Sequence, residues 1–125
     1  MRVLLDTHVL LWWLADDDCL SPQERQEISE PHNMVYVSAA SIWEIAIKRK
    51  LGKLEIPDSW FEAIAEEPFR RLPITWEHAV HAGSLPEVHR DPFDRLLIAQ
   101  ALDEDLTVLT RDKIFGRYGV SVLQA

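Results

Sequence analysis

Four acidic residues fall where the sequence leaves a strand or enters a helix. They are Asp6 after VLL, Glu44 in the first turns after MVYVS, Asp94 at the head of FDRLLIAQALDED, and Asp112 in TRDK after LTVLT. An ionised carboxylate set into an apolar run such as VLLDTHVLLWWL is costly to bury unless something pairs with it. Carboxylates gathered in one pocket repel one another and raise each other's pKa until a cation joins them. Oxygen donors without His or Cys partners select Mg²⁺ or Mn²⁺ over Zn²⁺. An ion of that kind polarises a phosphodiester, activates an attacking water and, in a two-ion site, stabilises the leaving oxygen. The four acids therefore point to metal-dependent nuclease chemistry, with Lys48, Arg49 and Lys53 as cations that could hold a nucleic-acid backbone beside it.

Each acid also has a structural reading. Ser41-Ile42-Trp43-Glu44 fits a capping box, and Glu44 with Lys48 makes a favourable i,i+4 pair. Asp91 and Asp94 suit the N-cap and N3 positions of a helix, with Arg95 within reach of Asp91. Asp112 fits a turn, and Asp6 could cap the helix behind it. It is the set of four that favours function.

The elements that must position these residues alternate. Val3 to Leu5 reads as a short buried strand, and Val9, Leu10, Trp12, Trp13 and Leu14 as the face of a following helix. Ser21-Pro22 opens a helix to about Glu30, and Met34 to Ser38 is a second strand. Ala39 to Leu51 is a helix with Gly52 as its C-cap, and Pro57-Asp58-Ser59 opens another that Pro68 ends. Leu72 to Thr75 reads as a short strand and Trp76 to Gly83 as a helix. Asp91-Pro92 opens a strong helix, Leu106 to Thr110 is a strand, and Val120 to Leu123 is an edge-like strand. The alternation predicts an α/β fold with a mostly parallel central sheet flanked by helices. In such sheets functional groups collect at the carboxyl ends of the strands, where the four acids fall.

Composition sets the limits. The 125 residues suit a single domain over 1–125, and a net charge of −8 argues against a protein that holds nucleic acid through its whole surface. The lone Cys19 excludes an internal disulfide and a thiolate metal site. No signal peptide or membrane-spanning run is evident, so the expected location is the cytoplasm.

LLDTHVLLWWLADDD, VSAASIWEIAIKRKLGKL, HRDPFDRLLIAQA and the final TRD, in this order, resemble a PIN-domain ribonuclease, and more narrowly a VapC-type toxin. The resemblance covers nearly the whole chain. It implies a PIN-like fold with a sheet of four or five strands, and a Mg²⁺- or Mn²⁺-dependent endoribonuclease serving as the toxin of a type II toxin–antitoxin system. By the same resemblance Asp6 and Asp94 are direct metal ligands, Glu44 ligates the metal or positions the water, and Asp112 acts directly or through water. Thr7, Ser41 and Thr110 are candidates for a hydroxyl near the metal, and Lys48 and Arg95 for contacts to substrate phosphate. Asp91 is favoured as a helix cap, and His8 as a packing or substrate-edge residue. The resemblance further implies a homodimer, an RNA substrate, and a VapB-type antitoxin whose C-terminal segment occupies a groove near the site.

Two other readings compete. A receiver-like Mg²⁺-binding phosphoacceptor domain would need an acidic pair after the first strand and an Asp ending a middle strand, but one Asp follows the first strand and Ser38 ends the second. A catalytically inactive PIN module acting only through its antitoxin would have no use for four intact acids.

Overall fold

Val3, Leu4 and Leu5 are all fully buried, as a strand with sheet on both sides and helices on both faces must be. They form β1 (Arg2–Leu5) at the centre of a five-stranded sheet. In chain order there follow α1 (Thr7–Leu14), α2 (Pro22–Ser29), β2 (Met34–Ser38), α3 (Ala39–Lys50), α4 (Trp60–Glu66), β3 (Arg70–Leu72), α5 (Trp76–Ser84), α6 (Pro92–Glu104), β4 (Thr107–Leu109), a 3₁₀ turn (Phe115–Tyr118) and β5 (Val122–Leu123). This computed structural model describes residues 1–123. The strand order is β3-β2-β1-β4-β5 and every pairing is parallel, as the alternation of elements predicts.

Register sorts the side chains between two faces. Val3 pairs with Val35 and Thr107, Leu4 with Tyr36 and Val108. Leu4 and Val108 pack with Leu97, Ile98 and Ala101 of α6 and with Phe115. Val3, Leu5, Val35, Val37 and Leu109 pack with Val9 and Leu10 of α1, Ile45 of α3 and Ile64 of α4. Leu4 touches no solvent, so truncating it to Ala would cost about 2–5 kcal/mol. The sheet is thus clamped from both sides, and its carboxyl edge is a rigid rim.

Most helix ends carry the local chemistry expected of them. Ser21 and Glu24 form a reciprocal capping box on α2, and Asp91 Oδ1 accepts from the amides of Phe93 (2.9 Å) and Asp94 at the start of α6. Gly52 takes a left-handed φ of +72° just past Leu51, the residue that caps α3.

Two expectations shift. The capping box at Ser41–Glu44 does not form, because Ser38 is the N-cap of α3, its side chain accepting from the Ala40 amide at 3.0 Å. Strand β2 runs directly into the helix, which leaves Ser41 and Glu44 inside it. The third strand is Arg70–Leu72 rather than Leu72–Thr75, because Pro73 has no amide to give the ladder and Thr75 is already the N-cap of α5. Among the described residues no helix is long and apolar enough to cross a membrane.

Candidate metal centre

β1 lies between β2 and β4, with the earlier strands to one side of it and the later ones to the other, the strand order at which the carboxyl edge of an open α/β sheet gathers functional groups. Asp6 follows β1 directly and stands at the N-cap of α1, yet its side chain caps nothing. It is 6% exposed, and its Oδ2 accepts a 2.6 Å hydrogen bond from the Thr110 hydroxyl, just past β4. Thr110 Oγ1 in turn accepts from the Asp112 amide at 3.0 Å, which leaves the hydroxyl proton for Asp6. Burial raises the Asp6 pKa, and the Glu44 charge adds to it; the Thr110 hydrogen bond and then His8 oppose the rise.

Glu44, on α3, is 2% exposed. Its Oε2 pairs with Lys48 Nζ at 2.6 Å, the expected i,i+4 bridge, which holds the Lys48 pKa up. Its other oxygen, Oε1, is buried without a partner. A buried carboxylate oxygen left bare costs stability and calls for a ligand.

Asp94, in the first turn of α6, has its pKa pushed up to about 7, first by burial and then by the charges of Asp6, Asp91 and Glu44, with His89 pulling the other way. Asp6, Glu44 and Asp94 therefore act on one another electrically, as carboxylates converging on one pocket do. Asp112 joins through His89. The imidazole Nε2 lies 2.7 Å from Asp94 Oδ2 and 3.3 Å from Asp112 Oδ2, with neither contact aligned as a hydrogen bond. One ligand atom each from His89, Asp94 and Asp112 falls within 4.8 Å of the others, close enough to share an ion. The other Asp112 oxygen, Oδ1, accepts from the Ile114 amide, so Asp112 is also the turn residue its context suggests.

The remaining candidates divide. Thr7 and Ser41 share a buried 2.8 Å hydrogen bond that ties α1 to α3 beside the acids. Arg95 is not turned to the acids and bridges neither Asp91 nor Glu44. Its guanidinium donates to the carbonyls of Ala82, Leu85, Pro86 and His89, all at 2.7–3.1 Å, and so clasps the loop before α6. Asp91 is the cap it was expected to be. Arg49 is committed to Asp58 and the Ile56 carbonyl, leaving Lys53 exposed. His8 is exposed, its ring 6.2 Å from that of Trp12.

Two residues beyond the sequence reading support the rim. Arg111, between Thr110 and Asp112, lies 4.7 Å over the Trp12 ring and pairs with buried Glu24, pinning the TRD turn to α1 and α2. His89 is the other. Its one signal in the sequence is a His two residues before an Asx-type N-cap, which says nothing about where the ring points.

Comparison with known proteins matches the chain to a family. The PIN domain profile fits residues 3–120. The chain is 36% identical over 115 residues to Ribonuclease VapC22 of Mycobacterium tuberculosis, a match spanning 89% of this chain and 87% of that protein. Among solved structures, VapBC2 of Rickettsia felis bound to a DNA fragment from its promoter is similar with a TM-score of 0.74 at 14% identity, covering 98% of each chain. DNA-bound VapBC of Salmonella typhimurium is similar with a TM-score of 0.69 at 17% identity, covering 98% and 97%. At those identities the two structures speak for the fold alone.

Proposed function

The chain belongs to the PIN-domain family, and from that premise we propose that it is a VapC-type toxin: a Mg²⁺- or Mn²⁺-dependent endoribonuclease acting in the cytoplasm beside a VapB-type antitoxin. Membership sets aside the receiver-like alternative. The observation that carries the reading is the bare, buried Oε1 of Glu44, whose charge acts on the mutually repelling carboxylates of Asp6 and Asp94, an arrangement that a bound cation would relieve.

The donor set fits a hard divalent ion, with Asp6, Glu44, Asp94 and Asp112 as the residues to hold it. When bound, such an ion lowers the barrier to water attack on a phosphodiester and neutralises charge on the leaving oxygen. The chain's own residues aim and shield that chemistry. Thr110 fixes the rotamer of Asp6, and Lys48 holds one oxygen of Glu44 so that the other faces inward. The N-termini of α1, α3 and α6 meet this rim, and their dipoles favour an anionic phosphate. In-line attack of water leaves 3′-hydroxyl and 5′-phosphate ends.

For the antitoxin there is an apolar groove of about 660 Å³ along β3, lined by Ile42, Trp43, Ala46, Phe61, Ile64 and Leu72, with Arg70 and Arg71 alongside. Trp43 packs edge-on against Phe93, whose neighbour is Asp94, so a segment in this groove lies next to the acids. For the homodimer there is α5, with Trp76 88% exposed and Val80 one turn later.

The test is incubation of antitoxin-free protein with total RNA and Mg²⁺ or Mn²⁺, beside Asp6→Asn and Asp94→Asn. Cleavage by the wild type alone is expected. Equal cleavage by all three, or by none, would sink the assignment, the second outcome in favour of an inactive binding module.

A further inference from the structure

We propose that His89 is a built-in placeholder for the cation: its Nε2–H stands between Asp94 and Asp112 in the metal-free protein, and a divalent ion displaces it rather than binding to it. The inference rests on the metal-dependent reading above and deepens it.

The position is that of a ligand. Nε2 is 2.7 Å from one carboxylate oxygen and 3.3 Å from the other. The bonding of the ring says otherwise. Nδ1 accepts the Asp91 backbone N–H at 3.3 Å, so the ring proton sits on Nε2, and a nitrogen carrying a proton has no lone pair for a metal. To ligate through Nε2 the ring would need a proton on Nδ1, directly opposite the Asp91 amide proton. The edge of His89 that faces the acids therefore carries a proton, aligned with neither oxygen as a hydrogen bond, and its contribution is to stand between two carboxylates that repel each other.

The backbone beneath this ring is anchored heavily, whereas the ring, though mostly buried, is weakly bonded. Arg95 grips three carbonyls of the loop, including that of His89 itself, and a fourth, that of Ala82, on α5. The Tyr118 hydroxyl donates to the Pro86 carbonyl and receives the amides of Val88 and His89, the last at 2.7 Å. The imidazole has an edge contact with Phe115, ring centroids 6.4 Å apart, and one long hydrogen bond from the Asp91 amide at 3.3 Å, besides its charge contacts. Neither carboxylate contact is aligned as a hydrogen bond. A side chain on a fixed backbone, with one long hydrogen bond and two unaligned charge contacts, can swing out by rotating about its own bonds, with no loop movement.

Displacement and ligation predict opposite signs. Mn²⁺ binding measured by calorimetry on wild type, His89→Ala and Asp94→Asn, with metal-free melting temperatures for each, separates them. The expected result is that His89→Ala binds Mn²⁺ about fivefold or more tightly than wild type, because a competing donor is gone, and melts lower without metal. Weaker or unchanged binding by His89→Ala, while wild type binds and Asp94→Asn does not, overturns the placeholder and leaves the metal reading standing. A wild type that takes up no Mn²⁺ overturns both. Nitrogen-15 imidazole spectra of the wild type titrated with Mg²⁺ need no variant: Nε2 retains its proton if displaced, and loss of that proton on binding is ligation and refutes the proposal.

Discussion

Helix α6 carries two buried polar clusters on one rod, and they are built in opposite ways. Near its middle, Gln100 is fully buried and saturated. Its Oε1 takes the Ser38 hydroxyl at 2.5 Å, and its Nε2 donates to the Pro73 carbonyl at 3.1 Å. Beside it His78 accepts the Thr75 amide and reaches Glu104 at 2.9 Å. At the N-terminal end of the same helix, Asp94 sits among like charges next to a glutamate oxygen with no partner. A satisfied buried polar group locks elements together, here β2, the β3–α5 connection and α6. An unsatisfied one stores a demand that something from outside can meet.

The contrast can be broken in graded steps. The largest expected effect is at the unsatisfied end: on the proposed function, Asp94→Asn should lower RNA cleavage at least about a hundredfold with an unchanged circular dichroism spectrum, since it removes a proposed ligand rather than a supporting group. Gln100→Ala should do the reverse. It strands the Ser38 hydroxyl and the Pro73 carbonyl, costing about 2–3 kcal/mol in urea unfolding, while the folded fraction binds Mn²⁺ as wild type does. A variant that loses stability and metal together would erase the distinction between the clusters.

A smaller effect follows from pH. Asp94 has a folded pKa near 7, above its ordinary value of 3.8, so the folded protein holds a proton that the unfolded chain has released between those values. Metal-free stability should accordingly fall as pH rises from about 4 to about 7, and Asp94→Asn should flatten that slope and gain about 1–2 kcal/mol at pH 7. Thermal melts across the range check it, and a wild-type curve that rises through the window would contradict the crowding of charges. The smallest effect is Thr110→Val, which removes the hydroxyl between Asp6 and the Asp112 amide and should cost about 1 kcal/mol by denaturant unfolding.

The same contrast explains what could be read before folding. The placement of Asp6, Glu44 and Asp94 along the carboxyl edge is legible because strand-to-helix junctions are local events with local signatures, and a charge in LLDTHVLL has few bland uses. The capping box at Ser41 was misread for an equally local reason: Ser38 and Ser41 both suit a cap, and only the register of β2 decides between them. Arg95 and His89 were beyond local reading. Which carbonyls a guanidinium clasps, and where a loop imidazole points, depend on segments that meet only in three dimensions, here the Pro86–His89 loop and Tyr118. The third strand slipped because Pro73 and Thr75 lie in a β-rich run whose end is set by the next helix.

Asp6 and the threonine that orients it are 104 residues apart in sequence, joined by a single hydrogen bond across adjacent parallel strands. A ribosome making this chain releases β1, β2 and the N-termini of α1, α3 and α6 before β4 exists. A nascent chain halted after residue 105 would carry Asp6, Glu44 and Asp94 but neither Thr110 nor Asp112, and its central strand would have one open flank. The acid cluster is thus completed only when β4 and the TRD turn behind it have been made, so the site depends on the most distant pairing of the sheet.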